Sequence, residues 1–78
     1  MERNAQEELK AHLMETNEEF RALAGEHSRY ARELEDLESR AHLTYDQQME
    51  ETRLKKLKLR LKDQMEAIMN QYRSQQVA

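Results

Sequence analysis

Residues 39–47 read Ser39-Arg40-Ala41-His42-Leu43-Thr44-Tyr45-Asp46-Gln47, and this stretch decides the fold. Apolar periodicity lapses over residues 39–43. A Thr followed three residues later by a Gln is then the sequence form of a capping box. The Thr44 hydroxyl is placed to accept from the backbone N–H of Gln47, while the Gln47 side chain reaches back to the Thr44 N–H. One helix therefore ends before residue 40 and another begins at Tyr45. A turn this short makes the two helices antiparallel neighbours.

Upstream of the turn, Leu9, Leu13, Thr16, Phe20, Leu23, His27, Tyr30, Leu34, Leu37 and Ala41 follow one another at alternating steps of four and three. That spacing puts one side chain per turn on a single seam, as in left-handed coiled coils. The apolar signal fades across Glu15-Thr16-Asn17-Glu18-Glu19. Asn17 is a good N-cap there, with Glu18 and Glu19 in the favourable first turn of a new helix. The heptad frame nevertheless runs through the lapse in register. We expect a break or kink near residues 15–18, with a short N-terminal helix before it.

Downstream of the turn the period changes. Leu54, Leu57, Leu61, Met65, Ile68 and Tyr72 are spaced as in an eleven-residue repeat and fall within about 80° of the helix circumference. Such a repeat is nearly straight, so only slight supercoiling is expected. The sequence thus predicts an all-α, antiparallel two-helix coiled-coil hairpin in a single domain, 1–78. Arm one covers about 2–39, the turn 40–44 and arm two 45–73, with a frayed tail at 74–78.

Composition agrees. The chain has no Pro, one Gly, no Cys and no Trp, and charged residues make up 37% of it, so nothing punctuates long helices and nothing supplies disulfides. A core from one Phe and three Tyr is small, and a chain of this length then needs well-packed helices or self-association. Leu59 points about 160° away from the centre of its stripe. Together with Met49 and Met69 it would be exposed on a lone hairpin. We therefore expect a homodimer forming a four-helix bundle, and a partner surface made of Leu59, Met69 and Met49.

Charge is divided along the chain. Residues 1–41 carry six Lys/Arg against eleven Asp/Glu, and residues 42–78 carry seven against five. On folding back, Glu33, Glu35, Asp36 and Glu38 are expected to lie near Arg53, Lys55 and Lys56, favouring that register. The six cations Arg53, Lys55, Lys56, Lys58, Arg60 and Lys62 form the basic stretch 53–62. It is a candidate nucleic-acid patch, the alternative to a protein-binding role. The cations ring the helix outside the seam and no aromatic is interleaved with them, which argues instead for a solvated face.

Nothing points to catalysis. The carboxylates lie at sequential helix positions, two helices enclose no pocket to perturb them, and there is no Gly-rich phosphate loop or nucleophile elbow. His12, His27 and His42 are too far apart for a helical metal site, which needs ligands three or four residues apart, so neither metal nor cofactor is expected. No apolar run exceeds three residues, so no signal peptide or membrane span is expected.

Phe20-Arg21-Ala22-Leu23, Glu26-His27, Tyr30, Leu34 and Leu37, with Leu54-Lys55-Lys56-Leu57-Lys58-Leu59-Arg60-Leu61-Lys62-Asp63-Gln64-Met65, resemble the YdcH family of small bacterial proteins of uncharacterised function. Lys58-Leu59-Arg60-Leu61-Lys62-Asp63 matches that family's Lys-Leu-x-Leu-Lys-Asp element at every fixed position. Two departures stand out. Many members carry Asn-Pro before the Phe, where this chain has Asn17-Glu18-Glu19, and many carry Asp after Tyr30, where it has Ala31. The resemblance implies a helical hairpin in the bacterial cytoplasm with no known enzyme activity. It offers no mechanism.

Overall fold

The structure is a computed structural model and describes residues 5–76. Within them the chain forms three helices, α1 (Ala5–Thr16), α2 (Glu18–Glu38) and α3 (Tyr45–Gln76), and no strand. The molecule measures 52 × 27 × 17 Å. At 1.5 Å per residue α3 is about 48 Å long, whereas α2 and α1 are about 32 and 18 Å. One long helix is thus matched by two shorter ones in series.

The break between α1 and α2 is a single residue. Asn17 has extended backbone dihedrals (φ −121°, ψ 110°), and its Oδ1 accepts from the Phe20 N–H at 2.8 Å. Its own N–H still donates to the Leu13 carbonyl, closing the last turn of α1. Helix C-termini leave carbonyls without intrahelical donors. Here Arg21 supplies them: its guanidinium donates to the Met14 carbonyl at 2.9 Å and to the Glu15 carbonyl at 3.1 Å. A side chain of α2 therefore caps α1, and the missing proline of the family pattern is not needed for the break.

At the other junction both bonds of the capping box are present. The Gln47 N–H donates to Thr44 Oγ1 at 3.1 Å and the Thr44 N–H donates to Gln47 Oε1 at 2.9 Å. Ser39 closes α2 by donating its N–H to the Glu35 carbonyl and its hydroxyl to the Asp36 carbonyl.

The seam residues supply the interior. Leu13, Phe20, Leu34, Leu54, Leu61 and Met69 are buried. Leu9, Leu23, His27, Tyr30 and Leu37 from the first half are half-buried, as are Leu57, Met65, Ile68 and Tyr72 from α3. Thr16, the last residue of α1, and Ala41, in the turn, are exposed. Contacts run in reverse order along the two halves. Leu37 and Leu54 line one groove near the turn, His27 feels Lys58 and Lys62 midway, and Phe20 packs with Met69 at the far end.

Two expectations require correction. Met69 is not exposed: at 2% accessibility it lies against Leu13 and Phe20. Met69 sits about 80° off the centre of the α3 stripe, and α1 covers that flank, which a two-helix picture leaves bare. Residues 74–76 are helical rather than frayed, since α3 continues to Gln76. The expected nearness of the charged arms is seen at Glu33, whose charge acts on Arg53, although among the described residues the carboxylates of α2 make no ion pair with α3. Arg53 pairs with Glu50 and Arg40 with Asp36, each within a few residues along the chain. A partner three or four positions away is reached at lower entropic cost than one on another helix. Residues 1–4 and 77–78, which the expected arm and tail include, lie outside the described residues.

Candidate functional site

With the seam turned inward, the opposite side of α3 is what the chain presents. The exposed large apolar side chains of α3 are Tyr45 (74%), Met49 (56%) and Leu59 (60%). On an ideal helix these three fall within about 80° of one another and roughly opposite Leu54, which is buried in the seam. A single exposed Leu is ordinary on any protein surface. Three large apolar groups on one face of one helix, with Lys56 between them, make a stripe. Beside it runs a shallow groove of about 380 Å³ lined by Met49, Arg53 and Lys56. Of the predicted partner surface, Leu59 and Met49 therefore lie on one accessible face, and Met69 does not.

The cations of the basic stretch differ in their surroundings. Arg53 is held by Glu50, which it bonds through both Nε and Nη2. This pair pushes the Glu50 carboxyl below its usual range and the Arg53 guanidinium above its own, with Glu33 of α2 a lesser influence on Arg53. Lys55, Lys56 and Arg60 are exposed. The pKa of His27 is lowered, chiefly by burial of the imidazole and then by the charges of Lys58, Lys62 and Lys10.

The three histidines are separated in space as well as in sequence. His12 packs its ring on Tyr72, centroid to centroid 5.3 Å and tilted 51°. His27 is half-buried between all three helices, and His42 lies in the turn. Among the described residues no three His, Cys, Asp or Glu side chains are placed to hold a metal ion. No helix among them is long and apolar enough to cross a membrane. An open cleft of about 760 Å³ lies at the turn beside His42 and Arg40.

Residues 20–69 match the model of a family described as a protein of unknown function, DUF465. The chain belongs to the DUF465 family. This is the grouping of the YdcH-like proteins, so the resemblance read from Phe20, Glu26-His27 and Lys58–Asp63 holds. The matched stretch of the DUF465 chain begins at Phe20 and ends at Met69, two buried residues of one cluster. Helix α1 lies outside the match. No curated protein and no solved structure matches the chain.

Two residues with roles in this architecture escaped the sequence reading. Lys10 and Arg21 look like surface cations on amphipathic helices, and no local pattern distinguishes them. The only hint for Lys10 was the persistence of the heptad frame through Leu9 and Leu13, which keeps α1 on the same side as α2.

Proposed function

We propose that this DUF465 protein is a non-enzymatic antiparallel coiled-coil hairpin that acts through helix–helix contact, associating with a second copy into a four-helix bundle. The observation that carries this reading is the exposed stripe Tyr45, Met49 and Leu59 on the outer face of α3. Two further facts support it. The accessible surface of 6328 Å² is about a quarter larger than the ~5,000 Å² expected of a compact monomer of 9.4 kDa. Among the described residues, the exposed lysines of α3 also make no ion pair with α2, which leaves the acidic α2 of another copy as a complement. The bacterial cytoplasm implied by the family resemblance is the setting we assign to it.

Multi-angle light scattering across a concentration series tests the reading. Wild type is expected to pass from monomer to dimer, and Leu59→Glu to remain monomeric with unchanged helicity. A strict monomer at high concentration, or a Leu59→Glu dimer as tight as wild type, refutes it.

The exposed Lys55, Lys56 and Arg60 favour one alternative, a nucleic-acid-associated factor using the basic stretch 53–62. Phosphate contacts by lysine and arginine give affinity that falls steeply with salt. Tight DNA or RNA binding near physiological salt, abolished by charge reversal at Lys55, Lys56 and Lys58, would place this reading first.

A further inference from the structure

Beneath the junction of the three helices is a cleft of about 210 Å³ lined by Lys10 from α1, His27 from α2, and Lys62, Met65, Glu66 and Met69 from α3. Lys58 lies close enough to join Lys10 and Lys62 in opposing protonation of His27. Cations from separate helices are gathered here around an imidazole at a seam position. Placing like charges together without an anion between them costs free energy, and more so against an apolar wall, where the effective dielectric is lower. Met65 and the buried Met69 form that wall. The carboxylate of Glu66 offsets only part of the positive charge. At about 30 Å³ per water, the cleft has room for roughly seven waters, enough for a phosphate group and a short substituent.

We propose that this cleft binds a phosphate group, free or on a small monoester, between Lys10, His27 and Lys62. The two ammonium groups donate to different phosphate oxygens. The imidazole, whose protonation burial and the lysines oppose, takes up a proton more readily once the anion is bound and becomes a third charged donor. Because Lys10 belongs to α1 while His27 and Lys62 belong to α2 and α3, the bound group ties the short helix to the other two. None of these residues belongs to the Tyr45, Met49 and Leu59 stripe, so the proposal is independent of self-association.

The charged groups that act on His27 are Lys10 from α1 and Lys58 and Lys62 from α3, with Glu66 of α3 lining the same cleft. Binding of a dianion reverses the effect of the lysines, so the pKa of His27 rises on saturation. The proton resonance at His27 Cε1, followed by NMR at constant ionic strength set with chloride, reads both occupancy and titration. Inorganic phosphate and glycerol 3-phosphate serve as separate probes, and saturable binding of either supports the site. Lys10→Gln with Lys62→Gln is expected to weaken binding about tenfold or more, from the loss of charge-assisted hydrogen bonds. Lys55→Gln with Lys56→Gln, the same charge change outside the cleft, is expected to leave it within about twofold. A second variant, His27→Gln, guards against loss of the first to misfolding. The ratio of wild-type to His27→Gln affinity should grow as pH falls through the histidine range, since both proteins see the same phosphate ionisation. The proposal is overturned if chloride reproduces the phosphate response, if the two lysine pairs behave alike, or if the His27 pKa does not rise.

Discussion

Replacing Met69 by Ala tests whether α1 is seated as described. Met69 is 2% exposed and packs against Leu13 of α1 and Phe20 of α2. Truncating a buried Met to Ala costs about 2–5 kcal/mol, from lost transfer free energy and the cavity left behind. The gain in helix propensity returns only a few tenths of a kcal/mol. For 78 residues the whole folding free energy is about 4–12 kcal/mol, so this single change should remove a large part of it. At about 4–8 °C per kcal/mol, the midpoint of thermal unfolding should fall by roughly 10 °C or more. Leu59→Ala is the matched control, on the same helix and of similar size, but 60% exposed. In dilute protein it should stay within about 0.5 kcal/mol of wild type. Urea unfolding followed by circular dichroism gives both values, with the slope in denaturant checking that the unfolded state is unchanged. Met69→Ala and Leu13→Ala together should show a coupling of about 0.5–3 kcal/mol, as for residues in contact. If Met69→Ala costs no more than Leu59→Ala, or if the pair is additive, α1 does not cover this flank of α3 and the account of the core fails.

Asn17→Ala removes the acceptor for the Phe20 N–H and should cost about 1 kcal/mol, read as a lower urea midpoint; a neutral result would deny the cap its role. Gly25 lies inside α2 without a positive φ, and a methyl group added there would meet no neighbouring group within 4 Å. Gly25→Ala should therefore gain about 0.5–1 kcal/mol and raise the thermal midpoint. His27 has a folded pKa below its ordinary 6.5, chiefly through burial and then through Lys58, Lys62 and Lys10. Between the two pKa values the unfolded chain binds more protons, so in chloride buffer stability should be full above pH 6.5 and decline as pH falls below it. His27→Gln should flatten that decline, and an equally steep slope in the variant would exclude His27 as its source.

What the sequence disclosed and what it concealed divide by distance along the chain. The turn and the break were readable because Thr44 and Gln47, like Asn17 and Phe20, bond across three residues, and capping is a local contract between neighbours. The seam was readable because a 3–4 spacing commits a face whatever covers it. Met69 was misread because its cover comes from Leu13, far away in sequence, and an angle on one helix does not reveal a third helix at its flank. The charges of the two arms are brought near one another as their sequence division suggests, Glu33 acting on Arg53, but direct pairing stays local. Arg53 had acidic residues across the interface, but Glu50 was nearer on its own helix. On the candidate surface, Leu59 and Met49 needed only the helical wheel of α3. The phosphate cleft needed Lys10, and nothing near Lys10 announces the company it keeps.

The opposed order of contacts along α2 and α3 also sets an order of assembly. Leu37 and Leu54, beside the turn, close a short loop, whereas Leu13 reaching Met69 closes a far longer one. Loop-closure entropy grows with length, so the pairing should zip from the turn outward and α1 should dock last. By the same reasoning α1 is the first part to let go. Amide exchange should find the least protection in residues 5–16, with protection rising toward the Thr44 end. A fold so ordered has a latch at one end and a hinge at the other, and α1 can lift away while the pairing nearest the turn stays closed.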